Sequence, residues 1–167
     1  LAFIYGIGGA LGTTLGGMLS DRRVRNTDDS RWYMWVPAMA GLAILPFSFI
    51  VYLWPNPIQA LLIHLFTTTL MHMFMGPAYG TVQTLAGVKR RAMAAAVNLF
   101  MVNLIALGTG PLIIGMASDF FNAQFGHNAL RYAILTVVVV AYTWASAHFF
   151  LAAKTLRKDL TTAETSG

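Results

Sequence analysis

A long run without charge constrains this chain more than any other feature of its sequence. No Asp, Glu, Lys or Arg occurs between Arg31 and Lys89. Only 10% of all residues are charged and 57% are hydrophobic, whereas a soluble domain carries about 25% charged residues. So few charges cannot cover a surface that faces water. We therefore expect most of the chain to lie in a lipid bilayer.

The uncharged run is too long for one crossing, because a helix needs about 20 apolar residues to span the hydrocarbon core. The sequence Trp54-Pro55-Asn56-Pro57 divides it, since prolines remove backbone donors and end helices. We predict an all-α membrane protein with five spans, at residues 1–20, 32–53, 58–82, 92–117 and 131–153. Residues 1–153 then form a transmembrane bundle, and residues 154–167 form a polar tail.

Basic residues predict the orientation of this bundle. All Lys and Arg residues except Arg131 fall within residues 22–31, 89–91 and 154–158. Cytoplasmic loops of membrane proteins carry an excess of Lys and Arg. We therefore place these three segments, and with them the C-terminus, in the cytoplasm.

The first segment, FIYGIGGALGTTLGGMLSDRR, allows two interpretations. Gly6, Gly8 and Gly12 suggest a dinucleotide-binding loop, but Leu11 holds the third glycine position of G-x-G-x-x-G and no second βαβ strand follows. A helix instead places Gly8, Gly12 and Gly16 four residues apart, and small residues at this spacing let membrane helices approach closely. We favour the helix. The contact is either static or a surface that slides against its neighbour.

The helix leads into Gly17-Met18-Leu19-Ser20-Asp21-Arg22-Arg23-Val24-Arg25. This run resembles the cytoplasmic loop signature G-x-x-x-D-R-x-G-R of the major facilitator superfamily, with Val24 in place of the second glycine. The resemblance implies a gating motif made of Gly17, Asp21, Arg22 and Arg25. In it the Asp21 carboxylate faces a helix N-terminus from the other half of a carrier, which stabilises it by about 0.3–1 kcal/mol. The alternative is ordinary positive-inside charge beside a helix-ending Asp.

Further motifs, in the same order along the chain, resemble the C-terminal half of bacterial spinster-like carriers. They are GPAYGTVQ at 76–83, RRA at 90–92, NLIALGTGP at 103–111, GMASD at 115–119, ALRYA at 129–133 and AAKTLR at 152–157. The resemblance implies that the five spans are helices eight to twelve of a twelve-helix carrier in a bacterial inner membrane. The N-terminal half of that carrier would then be the missing partner. The resemblance also implies alternating access, with an amphiphilic substrate such as a lysophospholipid or sphingoid-like lipid bound near the midplane.

Polar groups at membrane depth are candidates for the substrate site. The predicted spans contain no internal Asp, Glu, Lys or Arg, and any coupling carboxylate for proton-linked transport must therefore lie in the missing half. At about 100° per residue, one face of the third span holds His64, Thr68, His72, Met75 and Tyr79. Together with Asn98 on the fourth span, these residues form the predicted substrate cavity. Alternatively, His64 is hydrated near the outer interface and His72 bonds to a neighbouring helix.

The fourth span also carries predicted packing residues. Gly108, Gly110 and Pro111 form a cluster that we expect to pack closely and to bend the helix, because proline removes an internal hydrogen bond. Nearby, Asn103 is expected to bond to another helix.

The sequence does not favour an enzyme. No nucleophile–base pair, metal-ligand spacing or phosphate-binding loop is recognisable, and the chain has no Cys. We expect no metal and no cofactor, and a bilayer rather than a nucleic acid as the partner of the basic residues. Two alternatives stay open: the same fold carries a drug or small hydrophilic metabolite as cargo, or the chain is a non-transporting membrane assembly subunit.

The absence of cysteine makes the predicted topology testable. With single cysteines introduced by Asn56→Cys or Thr162→Cys, a membrane-impermeant maleimide should label residue 56 in intact cells, and residue 162 only after lysis. The reverse pattern would contradict the predicted orientation.

Overall fold

Helices make up nearly all of the structure. The computed structural model describes residues 2–166, among which there is no β-strand. The α-helices are Ala2–Thr27 (α1), Trp32–Leu53 (α2), Pro57–His72 (α3), Met75–Ala86 (α4), Arg91–Met101 (α5), Gly108–Phe125 (α6) and Ala129–Ser166 (α7). Short 3-10 turns lie at Val88–Arg90 and Gly126–Asn128, and a π-helical segment at Val102–Leu107 joins α5 to α6. Leu1 and Gly167, the ends of the predicted bundle and tail, lie outside the described residues.

Several of these helices are long and apolar enough to cross a membrane. The qualifying stretches in the described chain are Ala2–Thr27, Trp32–Leu53, Pro57–Ala86 and Val88–Ala163. The last contains 76 residues, far more than one crossing of about 20 residues requires. Within it the chain turns at Gly126, and α6 packs against α7. The all-helical membrane architecture agrees with the sequence, whereas the count of five spans stays a prediction.

The first helix continues beyond the predicted span. α1 runs through the charged residues to Thr27, because no Gly or Pro interrupts residues 18–27 and Arg is a good helix former. Arg25 lies in the last turn, where the helix dipole favours a cation. Asp28 then ends the helix with a φ of 51°, a left-handed conformation that Asp tolerates. Since Phe3 and Tyr5 are also helical, the strand–turn–helix of a dinucleotide site is absent from this segment.

The predicted third span is two helices that meet at Met73 and Phe74. Pro77 explains the break, because it has no N–H for the carbonyl of Met73 four residues earlier. The N–H of Met73, which a regular helix would direct to Thr69, donates instead to the carbonyl of Leu70 at 3.2 Å. The carbonyls of Thr69 and Met73 therefore lose their usual helical donors.

Glycines of α1 cover these carbonyls. Gly8, Gly12 and Gly16 are buried. They face three carbonyl oxygens at the same four-residue spacing on α3 and the break, those of Leu65, Thr69 and Met73. A methyl group on Gly12 or Gly16 would overlap backbone atoms. The arrangement is that of weak Cα–H···O hydrogen bonds between closely packed helices. We call this contact the glycine seam.

A second contact joins α2 to α7 and reaches into the predicted polar tail. Met34, Ala153 and Leu156 form a buried cluster, and Tyr33 and Leu160 pack against it. Leu156 is only 3% exposed, although it lies after the predicted end of the bundle at residue 153. α7 therefore continues through residues 154–166, and its first turns there belong to the packed bundle.

The Gly-Pro cluster of the fourth predicted span follows a π-helical segment. Pro111 crowds the carbonyl of Leu107 and gives it no donor. The π-helical segment Val102–Leu107 adds one residue per turn, which is one way to relieve this steric clash. A methyl group built on Gly108 or Gly110 would meet no atom of another described helix within 4 Å. Asn103, expected to bond to another helix, donates to the Leu99 carbonyl of its own helix at 2.7 Å.

The glycine seam makes a direct prediction about stability. Gly12→Ala should destabilise the protein by about 1–3 kcal/mol, because the methyl group would collide with the Thr69 carbonyl and force the helices apart. Gly6→Ala is the matched control, since nothing lies within 4 Å of a methyl group at that position. It should be neutral or stabilising by about 0.5–1 kcal/mol. Thermal unfolding in detergent measures both, and equal effects would contradict the seam.

Candidate functional site

Polar side chains from four helices meet in a cavity inside the bundle. It has a volume of about 360 Å³ and lies between α1, α2, α3, α6 and α7. Its polar lining consists of Tyr5, Ser48, Tyr52, His64, Thr67 and Tyr142. Its apolar lining consists of Ile44, Val51, Met71, Ile114, Ile134 and Val138. We call this space the inner cavity. Hydroxyl and imidazole groups among aliphatic walls are typical of sites for small or amphiphilic molecules.

His64 is held in place at this cavity. The Thr67 hydroxyl donates to the His64 carbonyl at 2.9 Å and lies 3.2 Å from the His64 Nδ1 atom. The Tyr5 ring stands edge-on to the imidazole, with 5.7 Å between the ring centroids. The His64 side chain is half-buried, and part of it is open to the cavity. Of the six predicted cavity residues, His64 lies here.

Two further predicted residues of α3, Thr68 and His72, lie at the glycine seam instead. Thr68 is 0% exposed, packs against Gly8, and donates its hydroxyl to the His64 carbonyl at 2.7 Å. The His72 ring packs over Gly9, and its Nδ1 atom lies 2.8 Å from the Thr68 carbonyl. These side chains share one face, as the helical period predicts. That face is turned towards α1, because only the glycines there admit a backbone so close.

Met75, Tyr79 and Asn98 are dispersed. The Thr13 hydroxyl of α1 lies 3.8 Å from the Met75 sulfur. Tyr79 is half-buried and its ring stands edge-on to Phe74, with 6.1 Å between centroids. Asn98 lines a separate groove of about 490 Å³ between α4 and α5. The structure of this chain therefore does not bring the six predicted residues into one cavity.

The predicted gating motif lies at another cavity, of about 400 Å³, between α1, α2, α4 and α7. Gly17 and Asp21 line it, and the Tyr33 hydroxyl donates to the Asp21 carboxylate at 3.1 Å. Arg22 and Arg25 are exposed. A helix N-terminus from another part of a carrier would lie outside the described residues, so the predicted role of these four residues stays a prediction.

The loop after α1 is fixed by charge and aromatic contacts. The Arg31 guanidinium donates to the Asp29 carboxylate through Nη2 at 2.7 Å and through Nε at 2.9 Å. Its cationic carbon lies 4.8 Å from the centroid of Trp35, and that of Arg23 lies 5.0 Å from the centroid of Trp32. The hydrogen bond from Arg31 holds the pKa of Asp29 below its ordinary value of 3.8.

Sequence reasoning missed most of the polar lining of the inner cavity. Tyr5, Ser48 and Tyr142 each lie singly within an apolar helix, and no periodic pattern connects them. Tyr52 lies at the end of a predicted span, where an aromatic residue is typical of a membrane interface and does not by itself indicate a cavity. Their convergence depends on how α1, α2 and α7 are rotated against one another, which hydrophobic pattern alone does not fix. Among the described residues, no group of three or more His, Asp or Glu could hold a metal ion.

Comparison with known proteins points to membrane transport. The chain is 28% identical over 152 residues to a protein described as an MFS-type efflux pump from Mycolicibacterium smegmatis. The match covers 91% of this chain and 35% of that protein, so the chain spans about a third of the length of the curated relative it matches. No family model matches the chain, and no solved structure matches it. The similarity supports a transporter in general and supports neither the spinster-like group nor a lipid substrate.

The Asp29–Arg31 pair predicts a dependence of stability on pH. A carboxylate with a lowered pKa stabilises the fold above pH 3.8, and this stabilisation is lost as the pH falls through its folded-state pKa. Asp29→Asn should therefore be less stable than the parent at pH 7, with a difference that shrinks below pH 3.8. Unfolding midpoints across pH measure the difference. Asp28→Asn, which removes the adjacent carboxylate, is the control; an identical profile would contradict a specific role of Asp29.

Proposed function

We propose that this chain is part of a major facilitator carrier that moves an amphiphilic substrate across a bacterial inner membrane by alternating access. The observation that carries the proposal is its similarity, over 152 residues, to an MFS-type efflux pump. We further propose that the substrate is a lysophospholipid or a sphingoid-like lipid and that it is exported. Secondary active and facilitative transport are both compatible with this proposal.

The glycine seam supports a part that moves. Where α1 meets α3, glycine Cα–H groups face backbone carbonyls, and Thr68 and His72 pack against glycines that have no side chain to interlock with them. Cα–H···O contacts are worth about 0.5–1 kcal/mol each, so a small shift along such a seam costs less than the separation of interlocked side chains. We propose that α1 slides or rocks along α3 when the carrier changes the side to which it opens.

An uncovered apolar face supports a larger assembly in lipid. The α5–α6 segment exposes large hydrophobic side chains to more than half of their area: Met93, Phe100, Leu104, Leu112, Met116 and Phe120. Lipid or the remainder of a carrier would cover this face, since water would not. We propose that the missing half of the carrier lies along part of it.

The composition of the inner cavity supports an amphiphile. Its aliphatic walls suit the hydrocarbon chain of an amphiphile, and its hydroxyl and imidazole groups can bond to polar atoms that follow the head. No Asp or Glu is among the described residues that line this cavity. If transport is coupled to protons, the titrating carboxylate therefore comes from outside this set.

Asp21 lies at the predicted cytoplasmic end, where its carboxylate can stabilise a closed state. We propose that its carboxylate, positioned by Tyr33, binds a helix N-terminus of the other half when the carrier is closed to the cytoplasm. Loss of the negative charge would then destabilise that closed state without changing the substrate site.

The same fold could carry a drug as a second candidate, because the description of the relative as an efflux pump supports export and names no cargo. Two alternatives remain: a hydrophilic metabolite as the substrate, or a non-transporting role as an assembly subunit. Competition between chemically different solutes separates these cases.

Transport by the full-length gene product in proteoliposomes tests the proposal. A fluorescent lysophospholipid should be taken up and should be displaced by unlabelled lysolipid but not by a sugar, with and without an imposed proton gradient. Asp21→Asn should slow uptake about two- to fivefold, since about 0.3–1 kcal/mol of helix-terminus stabilisation corresponds to a factor of about two to five. Lys154→Gln, a charge change away from the motif, should have little effect.

Three results would overturn parts of this proposal. Displacement by cationic dyes but not by lysolipid would replace the lipid with a drug. Uptake of none of these solutes, by protein shown to be folded, would favour the assembly role. Equal rates for Asp21→Asn and the parent would remove the proposed role of that carboxylate.

A further inference from the structure

A wider groove opens at the end of the bundle that carries Trp54 and Arg131. It has a volume of about 710 Å³ and lies between the α2–α3 connection and the start of α7. Its polar lining consists of Tyr52, Trp54, His64, His127, Asn128 and Arg131. We call it the outer groove. This end is opposite to the predicted cytoplasmic side.

The outer groove lies directly beside the inner cavity. Val51, Tyr52, His64 and Ile134 line both spaces, so the two meet at these four side chains. From the mouth inwards, the lining changes from a guanidinium, an imidazole and an amide to mainly aliphatic groups. One end therefore suits a charged head, and the other suits a hydrocarbon chain.

The charge at the mouth is positive. Arg131 is the one Lys or Arg in the sequence outside the three basic segments, and its side chain is exposed. The described residues that line the groove include no Asp or Glu. The Asn128 amide lies 3.2 Å from the His127 Nε2 atom. Both side chains line the groove together with Arg131.

The remaining wall of the mouth is apolar. The Trp54 indole N–H donates to the Gln59 side chain at 2.6 Å, so its polar edge is already bonded. The ring and the side chains of Pro55, Pro57 and Leu61 form the rest of this wall. An anionic group thus finds its donors on the α7 side, while the first carbons of an attached chain find apolar contacts on the α2–α3 side.

We propose that the outer groove binds a single-chain amphiphile with an anionic headgroup, with the headgroup at Arg131 and the chain directed past Ile134 into the inner cavity. Guanidinium binds phosphate and carboxylate groups through paired hydrogen bonds. The site lies within this chain and needs no residue from another part of a carrier. It rests on the proposed function only for the general class of ligand, and it narrows that class to anionic single-chain molecules.

Binding of radiolabelled dodecyl phosphate to the purified full-length protein tests the headgroup site. Arg131→Gln should weaken binding about tenfold or more, because a hydrogen bond to a charged group contributes about 1.5–3 kcal/mol. Arg157→Gln is the matched control, an exposed guanidinium on the same helix far from the groove. It should leave the affinity unchanged. Dodecylphosphocholine and dodecyltrimethylammonium should compete at least tenfold less well than unlabelled dodecyl phosphate.

A second pair of variants tests the path of the chain. Ile134→Phe places a bulkier side chain where the two spaces meet and should weaken dodecyl phosphate more than butyl phosphate. Val140→Phe, at an exposed position of the same helix, should weaken neither. Equal losses for Arg131→Gln and Arg157→Gln, or no preference for the anionic head, would overturn the site. Binding that follows these expectations without transport would contradict the proposed function and leave the site standing.

Discussion

Two backbone carbonyls without helical donors determine much of how this bundle packs. In lipid such oxygens are costly, because no water is present to bond them. Pro77 and the turn at Met73 remove the donors of the Met73 and Thr69 carbonyls, and the glycines of α1 cover both oxygens. The close approach of α1 and α3 follows from this need. It in turn decides which face of α3 is buried and which remains open.

The packing of α1 against α3 divides the polar residues of α3 into two groups. Thr68 and His72 lie at the seam with α1, where their hydroxyl and imidazole groups bond to backbone carbonyls of their own helix. His64, one turn before Thr68, lines both the inner cavity and the outer groove. Polar side chains on one helical face thus serve packing at one level of the membrane and line a binding space at another. The seam along which we propose that α1 slides lies beside this cavity, an arrangement that suits alternating access.

The two ends of the bundle differ in charge and in chemistry. At the predicted cytoplasmic end, arginines pair with Asp29 and stack on Trp32 and Trp35, so part of their charge is used to fix a loop. At the other end a single guanidinium stands at the mouth of an open groove. The basic residues at the first end predict the orientation in the membrane, whereas the guanidinium at the second end is available to a ligand.

The sequence by itself indicated that the chain is helical and lies in lipid, because a run without charge from residue 32 to residue 88 is too apolar for a surface in water, and helices satisfy its backbone groups in lipid. It also determined the spacing of Gly8, Gly12 and Gly16, and the shared face of His64, Thr68 and His72. Only the tertiary structure decided what that face meets and that Tyr5, Tyr52 and Tyr142 converge. Helical periodicity fixes positions within one helix, whereas the rotation of helices against each other depends on contacts distant in sequence.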